Sequence, residues 1–345
     1  MIKNCKNCSG NVYFDPKRKG NVCENCDSVF PVKYNYNFPK KPFDNAYEMK
    51  VDNFAKAMKS VKCNSCGALV MVNKEEVTSY CPYCNSPSIL DARKKSLMYI
   101  DSIIPFNYSK SEALTILQNT VKNTAFTNKK IFKNTTKKDV NGSYINAFVF
   151  DFNTMVTYNG VFSYTVRKKD SEGNVKYETR YKNVNGTHSN VFNNITIEAN
   201  TNISQGDLMQ VMPYDYKNVV DFQDDFMHGY MLEYQENMFD KCFKTAEQHI
   251  SGRIKNELLK KHRCDNIVKL DMKINYVDRK YNYCLLPLYL VTSNYKDKKY
   301  TTVINGQTGK VGKLPKNGLK IFLTILGACG GIVALILLIV FLSTL

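Results

Sequence analysis

The chain has 345 residues, 43% of them hydrophobic, which excludes general disorder and allows more than one domain. Its formal net charge of +17 favours an anionic partner such as nucleic acid or an acidic membrane surface. Only seven of the 48 basic residues are arginine, the better reader of phosphates and bases, so nucleic acid is possible but not favoured.

The N-terminal quarter of the chain is organised around paired cysteines. Two units share the spacing C-x2-C-x14-C-x2-C, and the second repeats the first at an offset of 58 residues. The start of the chain lacks the apolar core of a signal peptide, so we expect these thiols to stay reduced and to bind metal. The eight candidate metal ligands are Cys5, Cys8, Cys23, Cys26, Cys63, Cys66, Cys81 and Cys84.

Four thiolates in two knuckles suit one tetrahedral zinc ion with no open position, which is a structural site. The pattern therefore predicts two structural Zn²⁺ ions, in a first zinc ribbon at 1–30 and a second at 59–90, with a linker at 31–58. Redox chemistry is the rival interpretation, but it requires one C-x-x-C pair at a helix start rather than four clustered pairs. The residue after each knuckle is expected to have a positive φ, which Asp27 and Gly67 tolerate.

A connector at 91–103 precedes a segment at 104–315 that mixes helix and strand signals. Ser109 and Glu112 form a capping box at the start of an amphipathic helix. A longer helix is predicted at about 233–262, with an apolar face at helical spacing. The alternating patterns predict an α+β domain with mostly antiparallel sheet. The predicted strands are 144–152, 161–167, 175–182, 191–197, 268–277, 283–295 and 300–304.

The segment 321–345 is apolar and uncharged, which predicts one C-terminal transmembrane helix. Four lysines precede it and no charge follows it, so the positive-inside tendency places the N-terminal domains in the cytoplasm of a single-pass cell-membrane protein. These lysines could also lie against anionic lipid headgroups. The predicted fold class is thus multidomain: two small β-rich zinc ribbons, the α+β domain and the transmembrane helix.

No convincing catalytic motif appears in the sequence. Asp224, Asp225 and His228 could share a helix face and reach a metal ion, although an exposed acidic helix start explains them more simply. Gly306-Gln-Thr-Gly309-Lys310 has the wrong spacing for a phosphate loop, and a turn between strands is the preferred interpretation. The protein is therefore expected not to be an enzyme.

Several motifs together resemble a group of bacterial membrane proteins with a transcription-factor-IIB-type zinc ribbon, mainly from low-GC Gram-positive bacteria. They are Cys63-Asn-Ser-Cys66-Gly67 with Cys81-Pro-Tyr-Cys84, Ile103-Ile-Pro-Phe106, Ser109-Lys-Ser-Glu-Ala113, Met212-Pro-Tyr-Asp215, His228-Gly-Tyr230, Leu286-Pro-Leu-Tyr289 and Asn305-Gly-Gln-Thr-Gly-Lys310. Tyr144-Ile-Asn-Ala-Phe148 departs from the aromatic pattern of the group and contains no tryptophan. The resemblance implies the ribbon and the membrane segment but no particular activity.

Three functional hypotheses follow. The first is a membrane-anchored, non-enzymatic adaptor whose cytosolic ribbons bind a protein partner. The second is a membrane-tethered nucleic-acid-binding module associated with transcription or replication. The third is an enzyme with a site near Asp224, Asp225 and His228.

Overall fold

The structure is a computed structural model that describes residues 5–43, 58–63, 65–73, 78–81, 83, 87–89, 92–93, 100–169, 171, 173–200, 202–233, 239–322, 324 and 326. The described part is rich in β-structure and contains three α-helices of seven residues or more. The helices are α1 (Lys110–Asn123), α2 (Gln205–Val211) and α3 (Phe239–His262). The strands are β1 (Val12–Asp15), β2 (Gly20–Cys23), β3 (Val29–Pro31), β4 (Lys41–Pro42), β5 (Met58–Lys62), β6 (Leu69–Asn73), β7 (Thr78–Tyr80), β8 (Pro87–Ile89), β9 (Ala92–Arg93), β10 (Ser102–Ile103), β11 (Val140–Lys169), β12 (Val175–Glu198), β13 (Val220–Asp221), β14 (Met231–Glu233), β15 (Asn266–Tyr295) and β16 (Lys298–Asn305).

Three long antiparallel strands form the spine of the molecule. β11 and β15 are 30 residues each, and they pair from Val140 opposite Val291 to Ser163 opposite Asn266. β12 pairs with the other edge of β11, and β16 extends the sheet beyond the C-terminal half of β15. Short strands from distant parts of the chain complete a sheet of 11 strands. N-terminal strands, among them β4, β5 and β6, belong to this sheet, so the spine connects the N-terminal segment to the rest of the chain.

Alternate residues of β11 supply two separate cores, because successive side chains of a strand point to opposite faces. Phe148, Phe150 and Phe152 face α3, and the rings of Phe148 and Phe150 lie edge-on to Phe239 at centroid distances of 5.4 and 5.6 Å. On the opposite face, Ile145, Ala147 and Val149 belong to a second cluster that includes residues of α2. Beyond these residues the second face is exposed, for example at Met155, which is 60% exposed.

The helix signals in the sequence are largely confirmed. The side chain of Ser109 accepts a hydrogen bond from the backbone NH of Glu112, and the Glu112 carboxylate accepts one from the backbone NH of Ser109. This is the predicted capping box. α3 has its predicted apolar face. The buried residues of this face recur at helical spacing: Phe239, Cys242, Ala246, Ile250, Ile254 and Leu258. The structure describes the helix from Phe239 onward, and Glu233, the predicted start, belongs to β14 and pairs with Val70 of β6.

Residues 32–43 are held against the body by polar and aromatic contacts. The backbone NH of Asn37 donates to the carbonyl oxygen of Val219 at 3.2 Å. Lys40 Nζ lies 3.0 Å from an Asp151 carboxylate oxygen, and Lys41 forms an ion pair with the buried Asp101. Phe43 is buried among aromatic rings of the main core. This part of the predicted linker is an ordered strap between the first cysteine unit and the body.

The predicted fold class is wrong in two respects. First, no helix in the described ranges is long and apolar enough to cross a membrane. The predicted transmembrane segment falls mostly at positions 323, 325 and 327–345, which lie outside those ranges. Second, the hairpin of the second cysteine unit is not separate from the body, because β6 pairs with β14 and joins the main sheet. The domain boundaries stay predictions.

Replacing Phe43 with alanine is expected to lower the free energy of unfolding by about 3–5 kcal/mol, because a large ring leaves a cavity in a packed aromatic cluster. Chemical denaturation of the purified chain measures this change. Tyr36, which is 59% exposed, provides the control, and its replacement with alanine should cost about 0.5 kcal/mol or less. Equal effects of the two substitutions would show that the strap does not pack as described.

Candidate metal centres

The first cysteine unit is built on a short hairpin. β1 and β2 pair from Val12 opposite Cys23 to Asp15 opposite Gly20, and β3 adds to the free edge of β2. The fourteen-residue spacer between the two knuckles therefore folds as a hairpin. It brings Cys23, the first residue of the second knuckle, next to the segment that follows the first knuckle.

The four cysteines of this unit converge. Their sulfur atoms all lie within 4.8 Å of one another. Cys5 Sγ is 3.5 Å from Cys26 Sγ, and Cys8 Sγ is 3.4 Å from Cys23 Sγ. These distances are far longer than the roughly 2.05 Å of a disulfide. They are close to the roughly 3.8 Å between ligands of a tetrahedral ion with metal–sulfur bonds of about 2.3 Å, so the cluster could hold a metal ion.

The two knuckles of the first unit have matching backbone turns. The NH of Ser9 donates to the carbonyl of Cys5 at 2.8 Å, and the NH of Asp27 donates to the carbonyl of Cys23 at 3.1 Å. Ser9 and Asp27 have φ values of 59° and 57°, in the left-handed region. The positive φ predicted at Asp27 is confirmed, and the equivalent position of the first knuckle is Ser9 rather than a glycine.

Hydrogen bonds favour the thiolate form at Cys26, whereas contacts with the neighbouring thiols raise the pKa of Cys8 to about 12. The NH groups of Asn7 and Asn25 lie 3.4 Å from the sulfur atoms of Cys5 and Cys23. The hydroxyl and the backbone NH of Ser28 lower the pKa of Cys26 to about 6. A thiolate is the form of cysteine that binds metal, so the local hydrogen bonds match the chemistry of a metal site.

The second unit shows a similar arrangement as far as the structure describes it. Cys63, Cys66 and Cys81 form a group that could hold a metal ion, and the Cys66 and Cys81 sulfur atoms are 3.5 Å apart. The NH of Gly67 donates to the Cys63 carbonyl at 2.9 Å, and Gly67 has a φ of 77°, as predicted. Cys84, the fourth predicted ligand, lies outside the described residues.

Both units are attached to the body. In the second, the side chain of Asn202 bonds to both the NH and the carbonyl of Leu69, and Thr292 donates its hydroxyl to the Tyr83 carbonyl at 3.0 Å. In the first, the NH of Phe14 donates to the His228 carbonyl at 2.9 Å, and the rings of Phe14 and Phe226 lie 5.2 Å apart. The body therefore fixes the position of each cluster.

The acidic candidate site has a different role in the structure. Asp225 accepts a hydrogen bond from the Asn21 side chain of the first unit at 3.1 Å, and His228 Nδ1 faces the Asp225 backbone carbonyl at 3.0 Å rather than its carboxylate. Asp224, Asp225 and His228 do not converge on one point. Within the described ranges, the only groups of three or more candidate metal ligands are the two cysteine clusters. The segment 224–228 instead holds the first unit in place.

Buried aromatic packing connects several of the motifs that carry the family resemblance. The rings of Phe106 and Tyr230 stack at a centroid distance of 4.0 Å, and Tyr144 and Tyr289 also contact Phe106. A side-chain carbon at Gly306 would lie 2.5 Å from the Phe106 ring, so this position requires glycine. These motifs share a packing role that sequence reasoning did not reveal.

Two buried amides bind the remaining motifs together. Asn305 Nδ2 donates to the Val211 carbonyl at 3.0 Å. Gln307 Oε1 accepts from the Asp215 NH at 2.8 Å, and its Nε2 donates to the Asp215 carbonyl at 2.9 Å. The phosphate-loop-like sequence is therefore a turn after β16, with the Gly309 NH donating to the Asn305 carbonyl at 2.9 Å. The hydrogen bonds of this turn give Asn305, Gln307 and Gly309 a structural role.

Comparison with known proteins gives one distant relative. The chain is similar to the uncharacterized protein YdjG of Bacillus subtilis (strain 168), with 26% identity over 238 residues, which cover 66% of this chain and 67% of that protein. No family model matches the chain. No solved structure matches it either. The similarity to an uncharacterized bacterial protein agrees in part with the resemblance found in the sequence, and no family is established by it.

Replacing Gln307 with alanine is expected to cost about 1–3 kcal/mol of stability, because the buried side chain is truncated and its two hydrogen bonds to the Asp215 backbone are lost. The exposed neighbour Thr308 provides a matched control, and its replacement with alanine should cost less than about 1 kcal/mol. Thermal or urea unfolding measures both. A stable Gln307→Ala protein would contradict the structural role assigned to this motif.

Proposed function

We propose that each cysteine cluster binds one structural zinc ion and that the chain is a non-enzymatic adaptor whose zinc ribbons bind a protein partner. The main support is the geometry of the first cluster, in which four sulfur atoms lie within 4.8 Å of one another. Four thiolates occupy all positions of a tetrahedral zinc ion, so no position is open for substrate or water. Such a closed site supports a role in folding rather than in catalysis.

The orientation of the first ribbon supports a binding role. Its inner side is held against the body through Phe14, and its knuckle tips at 6–9 and 24–27 are exposed. Lys6 and Glu24 add charges of both signs to these tips, next to the amides of Asn7 and Asn25. A rigid, solvent-facing surface of mixed polarity is suited to a protein partner, because little conformational entropy is lost on binding.

The purified chain should contain about two zinc ions, as the two cysteine clusters imply. Replacing both Cys8 and Cys26 with serine should remove one of them, measured by mass spectrometry of the metal after anaerobic purification. The matched control is Cys264→Ser, because Cys264 lies outside both clusters. Metal-free wild-type protein, or metal content unchanged in the double variant, would contradict the zinc assignment.

The adaptor role can be tested with a photo-crosslinking amino acid placed at Asn25 in a knuckle tip and, separately, at the exposed Tyr36. We expect the Asn25 position to give a discrete protein adduct in cells that the Tyr36 position does not give. Because zinc holds the knuckle in shape, the adduct should disappear in the Cys8→Ser/Cys26→Ser variant. An identical set of adducts from both positions, or none from Asn25, would argue against the role.

Nucleic-acid binding is kept as a second candidate because of one feature of the spine. Tyr177 and Tyr181 are 72% and 67% exposed and lie on the same face of β12. Arg167 is the cross-strand partner of Tyr177, and Lys169 lies two residues further along β11 on that face. Exposed aromatic rings beside cations are typical of surfaces that stack single-stranded bases.

Fluorescence anisotropy of a labelled thymidine oligonucleotide tests this candidate. If the surface binds single strands, the Tyr177→Ala/Tyr181→Ala variant should bind at least about tenfold more weakly than the wild-type chain, because stacking of one base contributes about 1–3 kcal/mol of binding free energy. The Tyr36→Ala variant is the control, since Tyr36 is similarly exposed elsewhere. Absence of binding at low salt by the wild-type chain would eliminate the candidate.

A further inference from the structure

A surface near the end of α1 is rich in lysine and poor in acidic residues. Acidic residues near its margin include Asp139, whose carboxylate accepts hydrogen bonds from Thr136, and Asp207, which lines a pocket with Lys313 and Lys316. Residues 113–138 include six lysines and no aspartate or glutamate, and residues 298–345 contain no acidic residue either. The six lysines all have exposed side chains: Lys122, Lys129, Lys130, Lys133, Lys137 and Lys138. Such a density of one sign of charge creates a strong local field.

The two acid-free segments lie side by side. The NH of Asn128 donates to the Pro315 carbonyl at 2.9 Å, and the NH of Asn317 donates to the Phe126 carbonyl at 2.7 Å. These contacts place the exposed Lys313, Lys316 and Lys320 next to the first group. The lysine surface, as we define it, consists of Lys122, Lys129, Lys130, Lys133, Lys137, Lys138, Lys313, Lys316 and Lys320.

The charges of the lysine surface are not neutralised within the described part of the chain, where none of these lysines forms an ion pair. Nearby, burial and the positive charge of Lys137 lower the pKa of Lys110. Like charges held close together repel one another, and an anionic partner that covers them lowers the free energy by relieving this repulsion.

Apolar groups accompany the lysines. A pocket of about 360 Å³ opens in the lysine surface. It is lined by the buried Val121 and Phe132, by Gln118, and by Lys122, Lys129, Lys130 and Lys133. Just beyond Asn317, Leu319, Phe322 and Leu326 are 69%, 61% and 58% exposed. The surface thus combines cations with uncovered apolar side chains.

We propose that the lysine surface docks on an anionic phospholipid bilayer. Headgroup phosphates would pair with the lysines, and the Leu319 and Phe322 side chains would enter the boundary between headgroups and acyl chains. Nucleic acid would offer phosphates to the lysines and a base to stack on Phe322, but it has no acyl region to receive the aliphatic side chains of Leu319 and Leu326. The proposal concerns contact with the bilayer surface and does not require a helix that crosses it.

The test uses the full-length chain with Phe322→Trp, because the sequence contains no other tryptophan. Its emission is followed while vesicles are added, either of pure phosphatidylcholine or with about one third phosphatidylglycerol, an anionic lipid. We expect binding to the anionic vesicles to be at least about tenfold tighter, and this preference to weaken with added salt. Brominated acyl chains should quench the tryptophan.

Two quadruple variants separate the effect of the lysine surface from that of the apolar residues. All proteins in the test keep the apolar residues. Lys122, Lys129, Lys130 and Lys133 are replaced with glutamine in one, and Lys244, Lys255, Lys269 and Lys273 in the other. Both lose four exposed lysines, and only the first should lose the preference for anionic lipid. Equal affinity of the parent for both vesicles, or equal loss in both variants, would overturn the proposal. So would binding of an oligonucleotide through these lysines without a preference for anionic lipid.

Discussion

The antiparallel pairing of β11 with β15 holds the two cores and the attached N-terminal strands together. It brings Val140 opposite Val291 and continues beyond Asn153 opposite Val277, so it joins segments that are far apart in the chain. One face of this pair carries the aromatic core beneath α3, and the other carries the smaller core beneath α2. The strap, the second hairpin and the turn after β16 all attach to these strands or to their neighbours, which places both cysteine clusters on one framework.

Local chemistry made parts of the molecule predictable from the sequence. The repeated C-x2-C spacing identified the cysteines that converge, because a knuckle is formed within a few residues. The capping box at Ser109 and the apolar face of α3 were likewise local signals. The long strands were predicted as shorter pieces, and the gap left between the predicted strands 144–152 and 161–167 includes Gly160. In the structure Gly160 lies inside β11, where a side-chain carbon would approach the Lys269 carbonyl oxygen to 2.3 Å.

Long-range contacts account for what the sequence did not predict. Asp225 and His228 looked like ligands because of their residue types, but Asn21 and Phe14, about 200 residues earlier, determine their role. Gln307 belongs to the phosphate-loop-like motif and to a motif of the family resemblance, but neither reveals its partner Asp215, which is 92 residues away. The lysine surface also depends on two segments that meet only in the fold. Sequence patterns identify residue chemistry, whereas the fold decides which residues act together.

We propose that the first unit is a closed, sulfur-only zinc site that the body holds in place. X-ray absorption spectroscopy at the zinc edge tests it most directly, because it reports the identity and distance of the ligand atoms. We expect a shell of sulfur atoms alone, four per zinc at about 2.3 Å. A shell containing nitrogen or oxygen at about 2.0–2.2 Å would contradict it, since it would mean a histidine, carboxylate or water ligand and an open site.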